Sequence, residues 1–186
     1  MITVVTHLTL DGVMQAPAAA GEDTRGGFTR GGWAVPYQDE ALMRLVGPQT
    51  GAGGGLLLGR RTYEHFFSVW PKRAGDGNPF SEILNRTTKY VVSRTLQEPL
   101  AWENSVLIRE PVRPEPDVTV LGSGELVQSL LARDLVDRLL LAIHPLVLGQ
   151  GRRLFPDGGA PVTLDLVESE ATPKGVVYAQ YVRAGT

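Results

Sequence analysis

Apolar residues in this chain fall into short runs divided by glycine, proline and small polar residues, and the period of the runs alternates. Residues 2–10 are β-branched and apolar, interrupted at Thr3, Thr6, His7 and Thr9, which predicts a buried first strand ended by Asp11-Gly12. Residues 15–32, rich in Ala, Gly and Thr with the pairs Gly26-Gly27 and Gly31-Gly32, predict a long loop of the kind used as a lid or binding loop. Pro36 opens a helical stretch in which Ala41, Leu42, Leu45 and Val46 share a face. Residues 51–55 predict a flexible turn, 56–58 a second strand and 60–69 a helix directly after it. Asn78-Pro79 is a cap and first-turn pair for a short helix to about residue 85.

Further strands are predicted at 89–93, 105–109 and 118–121, with Pro111, Pro114 and Pro116 marking an extended loop before the third. A helix follows Gly122-Ser123-Gly124, with Leu126, Val127, Leu130 and Leu131 on one face. A long strand lies within 135–148, and strands at 162–168 and 175–182 read as antiparallel around Pro173-Lys174-Gly175. Strands alternate with helices through residue 135 and strands alone follow. That order predicts an α/β fold, a largely parallel sheet with helices on its faces and an antiparallel edge. Residues 1–186 show no repeat, low-complexity segment or long linker, so one domain is expected.

Composition narrows the function classes. At 42% hydrophobic and 20% charged, the 186 residues describe a globular chain with a continuous core. A net charge of -2 weighs against general nucleic-acid partners. With no cysteine, disulfides, thiolate catalysis and cysteine-ligated zinc are excluded, and a reducing compartment is compatible. The N-terminal residues lack the basic start and long apolar region of a signal peptide, and no apolar run is long enough to span a membrane. A cytoplasmic protein acting on a small molecule is the expectation. His7, His65 and His144 show no spacing that suggests a metal.

The stretch from Leu56 to Glu64 carries the most chemistry. The apolar run stops at Gly59, and Arg60, Arg61 and Thr62 open a helix. First-turn N–H groups lack backbone partners and attract anions, and guanidinium groups offer a rigid, permanently charged fork of donors. A phosphorylated nucleotide is the candidate ligand, NADPH first because of its 2′-phosphate; the alternative is a plain junction with solvated arginines. Ligands of open α/β sheets bind outside the carboxyl ends of the strands. Two more such ends carry anion-friendly residues, Ser93-Arg94-Thr95 and Gly122-Ser123-Gly124. The latter departs from G-x-G-x-x-G because Val127 stands at the last position.

The order of these segments resembles the dihydrofolate reductase-like superfamily, and within it the group related to the reductase domain of the bacterial bifunctional riboflavin-biosynthesis deaminase-reductase. Leu10-Asp11-Gly12-Val13 resembles that group's S-x-D-G signature, and Gly59-Arg60-Arg61-Thr62-Tyr63-Glu64 the glycine-arginine helix start. The stretch from Val120 through Gly122-Ser123-Gly124 to Leu126 resembles the diphosphate turn. Pro145-Leu146-Val147-Leu148-Gly149-Gln150-Gly151, with Leu154-Phe155, resembles the signature after the long late strand. The resemblance spans nearly the whole chain.

It implies a dihydrofolate reductase-like three-layer fold and an NADPH-dependent reductase of a small heterocycle, similar to 5-amino-6-(5-phosphoribosylamino)uracil reductase. A pterin or dihydrofolate-type reductase and a non-catalytic NADPH-binding homologue are the alternatives. By the resemblance, Gly59, Arg60, Arg61 and Thr62 hold cofactor phosphates, Ser93 and Arg94 lie near the 2′-phosphate, and Gly122, Ser123, Gly124, Glu125 and Leu126 line the diphosphate. Asp11 and Gly12 border nicotinamide and substrate. Asp11 is the candidate catalytic carboxylate, or else a turn residue. Trp33 stacks on a flat substrate or anchors a loop, and Asp39 contacts substrate or serves the helix start. In Trp33-Ala34-Val35-Pro36-Tyr37-Gln38, Gln38 stands where dihydrofolate reductases place their carboxylate. A homodimer through the late strands is implied as well.

Overall fold

The computed structural model describes residues 1–50, 53–159 and 161–185. Among the described residues, eight strands form one sheet, and four α-helices pack around it. In chain order the elements are β1 (Ile2–Thr9), α1 (Glu40–Val46), β2 (Gly55–Gly59), α2 (Arg60–Val69), α3 (Pro79–Arg86), β3 (Lys89–Val92), β4 (Ser105–Ile108), β5 (Val118–Leu121), α4 (Gly124–Leu131), β6 (Arg138–His144), β7 (Leu164–Ala171) and β8 (Val177–Arg183). The order across the sheet is β4-β3-β2-β5-β1-β6-β8-β7. Strands β1 to β6 pair in parallel, while β8 runs antiparallel to both β6 and β7.

Alternation along the strands builds the layers. Val4, Leu57, Val120, Leu139 and Leu141 point to one side and pack with Val127 and Leu130 of α4. Val5, Leu56, Leu58, Val91 and Leu140 point to the other and pack with Tyr63 of α2 and Leu84 of α3. The central strands are apolar at consecutive positions because both faces are covered. Each fully buried leucine contributes roughly 1.5–3 kcal/mol relative to exposure.

Most predicted elements stand where the pattern put them, and α2 covers the predicted residues 60–69. The first helix differs. Pro36 lies in a 3-10 turn over Val35–Tyr37, and α1 starts at Glu40. Asp39 is its cap, accepting a 2.8 Å bond from the Leu42 N–H. The predicted 51–55 turn falls partly on residues 51 and 52, which lie outside the described residues; Gly53 has φ +91 and β2 begins at Gly55. The final hairpin sits slightly later than its apolar pattern, because β7 exposes both Leu166 and Val167 at a register shift.

Lys89 is fully buried at the start of β3. Its ammonium donates to the Leu84 and Asn85 carbonyls at the end of α3 and stands 4.3 Å from the Trp102 ring centre. Among the described residues, no helix is long and apolar enough to cross a membrane.

Candidate nucleotide site

Because β2, β3 and β5 run in parallel, their carboxyl ends emerge on one side, and the loops that follow them open into one cleft. The cleft encloses about 1230 Å³ and takes in Gly59 to Thr62, Ser93 to Thr95 and Gly122 to Leu126. A pocket for one small ligand is typically roughly 300–1,000 Å³, so there is room here for a dinucleotide and a second molecule. Eight arginines and three carboxylates line it among the described residues, so the cleft is positive although the chain carries -2.

Local bonding prepares the two helix starts. The Ser123 hydroxyl accepts the Gly59 N–H at 3.0 Å, and the Thr62 hydroxyl accepts the Ser123 N–H at 3.1 Å. These bonds stitch the two turns together. Both hydroxyls serve as acceptors, so each O–H proton remains available to a ligand. Ser123 is held in the left-handed region at φ 48, which costs a non-glycine residue on the order of 1 kcal/mol. At Gly122, φ +57, a Cβ would stand 3.4 Å from the Thr62 methyl. At Gly124 it would meet the Met14 sulfur at 2.5 Å. The turn is therefore close-packed under Met14, the residue that leads into the long loop.

Among the described residues, no side chain caps the first turn of α2 or of α4. By contrast, α1 and α3 are capped by Asp39 and Asn78. The two helices without a side-chain cap both begin at the cleft, which Gly59 to Thr62 and Ser123 to Leu126 line. A phosphorylated dinucleotide fits that donor set.

The arginines differ in readiness. Arg61 is exposed and makes no ion pair within the described residues. Arg60 stands 3.7 Å from Glu64. Arg94 bonds both Glu110 oxygens, at 2.8 and 2.9 Å; the hydrogen bond and the nearby charge hold the Glu110 carboxyl below its usual range. The Ser93 hydroxyl accepts the Thr95 and Leu96 N–H groups, and Arg109 donates to the Ser93 and Leu96 carbonyls. Arg109 thus fixes this turn from within the cleft, a role its place in the sequence does not announce.

Glu125 lies in the first turn of α4, but its carboxylate is taken by Arg152 at 2.6 Å and Arg25 at 3.5 Å. It fastens the 15–32 loop and the late loop to the cleft rim. Gln15, which sequence reading passed over, organises the first of these: its amide donates to the Asp23 and Arg25 carbonyls and its oxygen accepts the Arg152 N–H.

The residues expected on the substrate side do not join the cleft lining. Asp11 accepts from the Thr9 hydroxyl at 2.6 Å, the Gly149 N–H at 2.8 Å and the Leu148 N–H at 3.2 Å. Burial pushes its carboxyl up, but those bonds outweigh it and hold the group below the usual carboxylate range. It latches the first strand's turn to the late loop. Gly12, at φ +77, completes that turn. Trp33 is buried with its indole N–H on the Gln15 carbonyl at 2.8 Å, which anchors the loop. Asp39 caps α1 and also accepts the Lys174 N–H at 3.2 Å.

The floor of the cleft holds a residue given no role from sequence. His7 of β1 lines it and meets His144 of β6, ring nitrogen to ring nitrogen, at 2.9 Å. Trp33 and Tyr37 pack nearly perpendicular to the His144 ring, with centroids 5.2 and 5.5 Å away. Burial lowers both imidazoles to about 4.

Comparison with known proteins agrees with this architecture. The family model of the RibD C-terminal domain matches residues 112–178, which hold β5, the Gly122 turn, α4 and β6. The uncharacterized protein YyaP of Bacillus subtilis (strain 168) is 29% identical over 138 residues, 68% of this chain and 72% of that protein. A Shewanella sp. PV-4 protein described under riboflavin biosynthesis superposes with a TM-score of 0.69 at 19% identity, covering 98% of both chains. Dihydrofolate reductase from Enterococcus faecalis, solved with NADP(H), superposes with a TM-score of 0.61 at 15% identity, covering 99% of this chain and 96% of that one.

Proposed function

For a chain that has the dihydrofolate reductase-like fold and resembles the RibD C-terminal reductase domain, we propose an NADPH-dependent reductase of a small heterocycle, of the 5-amino-6-(5-phosphoribosylamino)uracil reductase type, with residues 1–186 acting as one domain. The observation that carries this reading is the pair of uncapped helix starts opening into an arginine-lined cleft. The open first turns of α2 and α4 take the diphosphate, together with the Thr62 and Ser123 hydroxyls. Arg61 and Arg60 add charge on one side, and Arg94 serves the 2′-phosphate by exchanging Glu110 for it. NADPH would supply the hydride. The chain's own part is to hold both reactants in line and exclude water beneath the 15–32 loop.

A second reading, a nucleotide-binding protein without turnover, is favoured by one observation. The carboxylates nearest the substrate side, Asp11 and Asp39, are both occupied by backbone N–H groups. Calorimetric titration with NADPH and NADH, followed by cofactor oxidation in the presence of aminouracil and pterin substrates, decides between them. Selective NADPH binding with turnover supports the reductase. Binding without turnover supports the second reading, and no binding of either nucleotide removes both. Pairing of two copies along the exposed Leu166, Val167 and Val177 surface of β7 and β8 is part of the proposal and is read from the mass in solution. The expected setting is the cytoplasm.

A further inference from the structure

His7 and His144 occupy neighbouring strands, with Thr9 in register against His144. The bond between His7 Nδ1 and His144 Nε2, 2.9 Å long, holds a single proton. Two neutral arrangements are available. In one, His7 donates from Nδ1; His144 must then carry its own proton on Nδ1. That atom is buried without any hydrogen-bond partner among the described residues. In the other, His144 donates from Nε2, and its buried Nδ1 is a bare lone pair. Buried N–H groups without an acceptor are rarer and costlier than unfilled lone pairs, so the second arrangement prevails. His7 Nδ1 is then the acceptor, and the proton of His7 sits on Nε2. This nitrogen has no partner within the described chain, and the ring lines the cleft.

We propose that His7 presents a fixed Nε2–H donor at the cleft floor, with its tautomer set by His144, and that this donor recognises a neutral acceptor, a ring carbonyl or ring nitrogen, on the bound heterocycle. The naming of that ligand rests on the reductase reading; the tautomer does not. His7 is the ligand-contacting residue and His144 a positioning residue. Trp33 and Tyr37 pack against His144 and keep it in place, and neither is hydrogen-bonded to its Nδ1. A neutral donor suits a neutral heterocycle, whereas an imidazolium would favour an anion. The depressed basicity of both rings agrees with the neutral form.

The test is long-range proton–nitrogen NMR of protein labelled with ¹⁵N-histidine at neutral pH, with His7 assigned by His7→Gln. The expected result is a protonated Nε2 and a bare Nδ1 on His7, with the Nε2–H resonance shifting when 5,6-diaminouracil is added to protein saturated with NADP⁺. In His144→Leu, His7 should relax to a mixture of tautomers. A His7 protonated on Nδ1, or doubly protonated, overturns the proposal. So does an unmoved Nε2–H resonance in the presence of the probe. Calorimetry with NADP⁺ alone is read separately: its failure removes the reductase reading, while the tautomer in the free protein still stands or falls on its own spectrum.

Discussion

Acidification should unfold this protein earlier than its carboxylates alone would require, through His144. The side chain is fully buried and its nearest ionisable neighbour is another imidazole. Burial first, and the charge of His7 second, lower it from 6.5 to about 4. At about 1.4 kcal/mol per pH unit, that shift is worth about 3 kcal/mol when fully expressed. The sign follows from proton counts. Between pH 6.5 and 4 the unfolded chain holds the proton and the folded chain does not, so stability is present above 6.5 and is lost as pH falls towards 4. From pH 7 to pH 5, linkage at His144 alone gives a loss of about 2 kcal/mol, before most carboxylates of the unfolded chain titrate, and His7, lowered likewise to about 4, adds a loss of the same sign. Urea melts at pH 7, 6 and 5 measure it, because with a slope of about 1–3 kcal/mol per molar the midpoint should fall by on the order of 1 M. His144→Leu removes the titrating group, so its midpoint should fall markedly less over the same range. Parallel midpoints for the two proteins would refute the assignment of an uncharged, desolvated His144.

Three further outcomes follow from the bonding described. Arg94→Ala should weaken NADPH roughly ten- to a hundredfold with little change for NADH, while Glu110→Gln, which frees Arg94, should tighten NADPH; calorimetry reads both, and equal effects on the two nucleotides would remove Arg94 from the 2′-phosphate. Asp39→Ala should lower the melting temperature by roughly 2–4 °C through loss of the α1 cap and leave NADPH affinity unchanged, whereas a lost cofactor site would return Asp39 to the binding machinery. Burial lowers the Lys89 ammonium from 10.5 to about 8, so the unfolded chain holds more protons between those values and stability should rise as pH climbs through that window; denaturant melts of Lys89→Met should lack the rise.

What the sequence disclosed, and what it hid, divides by distance along the chain. Leu56-Leu57-Leu58 reads as a buried strand because both its faces are covered, and Asn78 reads as a cap because its partner, the Phe80 N–H, is two residues away. Gly122-Ser123-Gly124 reads as a turn before a helix for the same local reason. Asp11 did not disclose its role, since the N–H groups it latches belong to Leu148 and Gly149, 137 and 138 positions on. His7 and His144 are likewise 137 positions apart, and only the parallel register of β1 and β6 makes them neighbours. Pro36 suggested a helix that would contain Asp39, but the chain makes a 3-10 turn there and Asp39 caps the helix that starts at Glu40. Charges are similar: Glu125 looks like a favourable first-turn acid, and only the fold shows Arg25 and Arg152 closing on it.

The uncapped starts of α2 and α4 also make this protein's measured stability a property of its solution. Part of the donor set that a self-sufficient chain would satisfy internally is left for an anion to complete. Any anion that binds only the folded chain raises its unfolding free energy by RT ln(1 + [L]/Kd), about 2.7 kcal/mol at a hundred times its Kd. Phosphate buffer, or nucleotide carried through purification, would therefore give a different melting curve from the same protein in Tris. Inside a cell, the folded fraction would follow the concentration of whatever phosphorylated ligand the cleft holds.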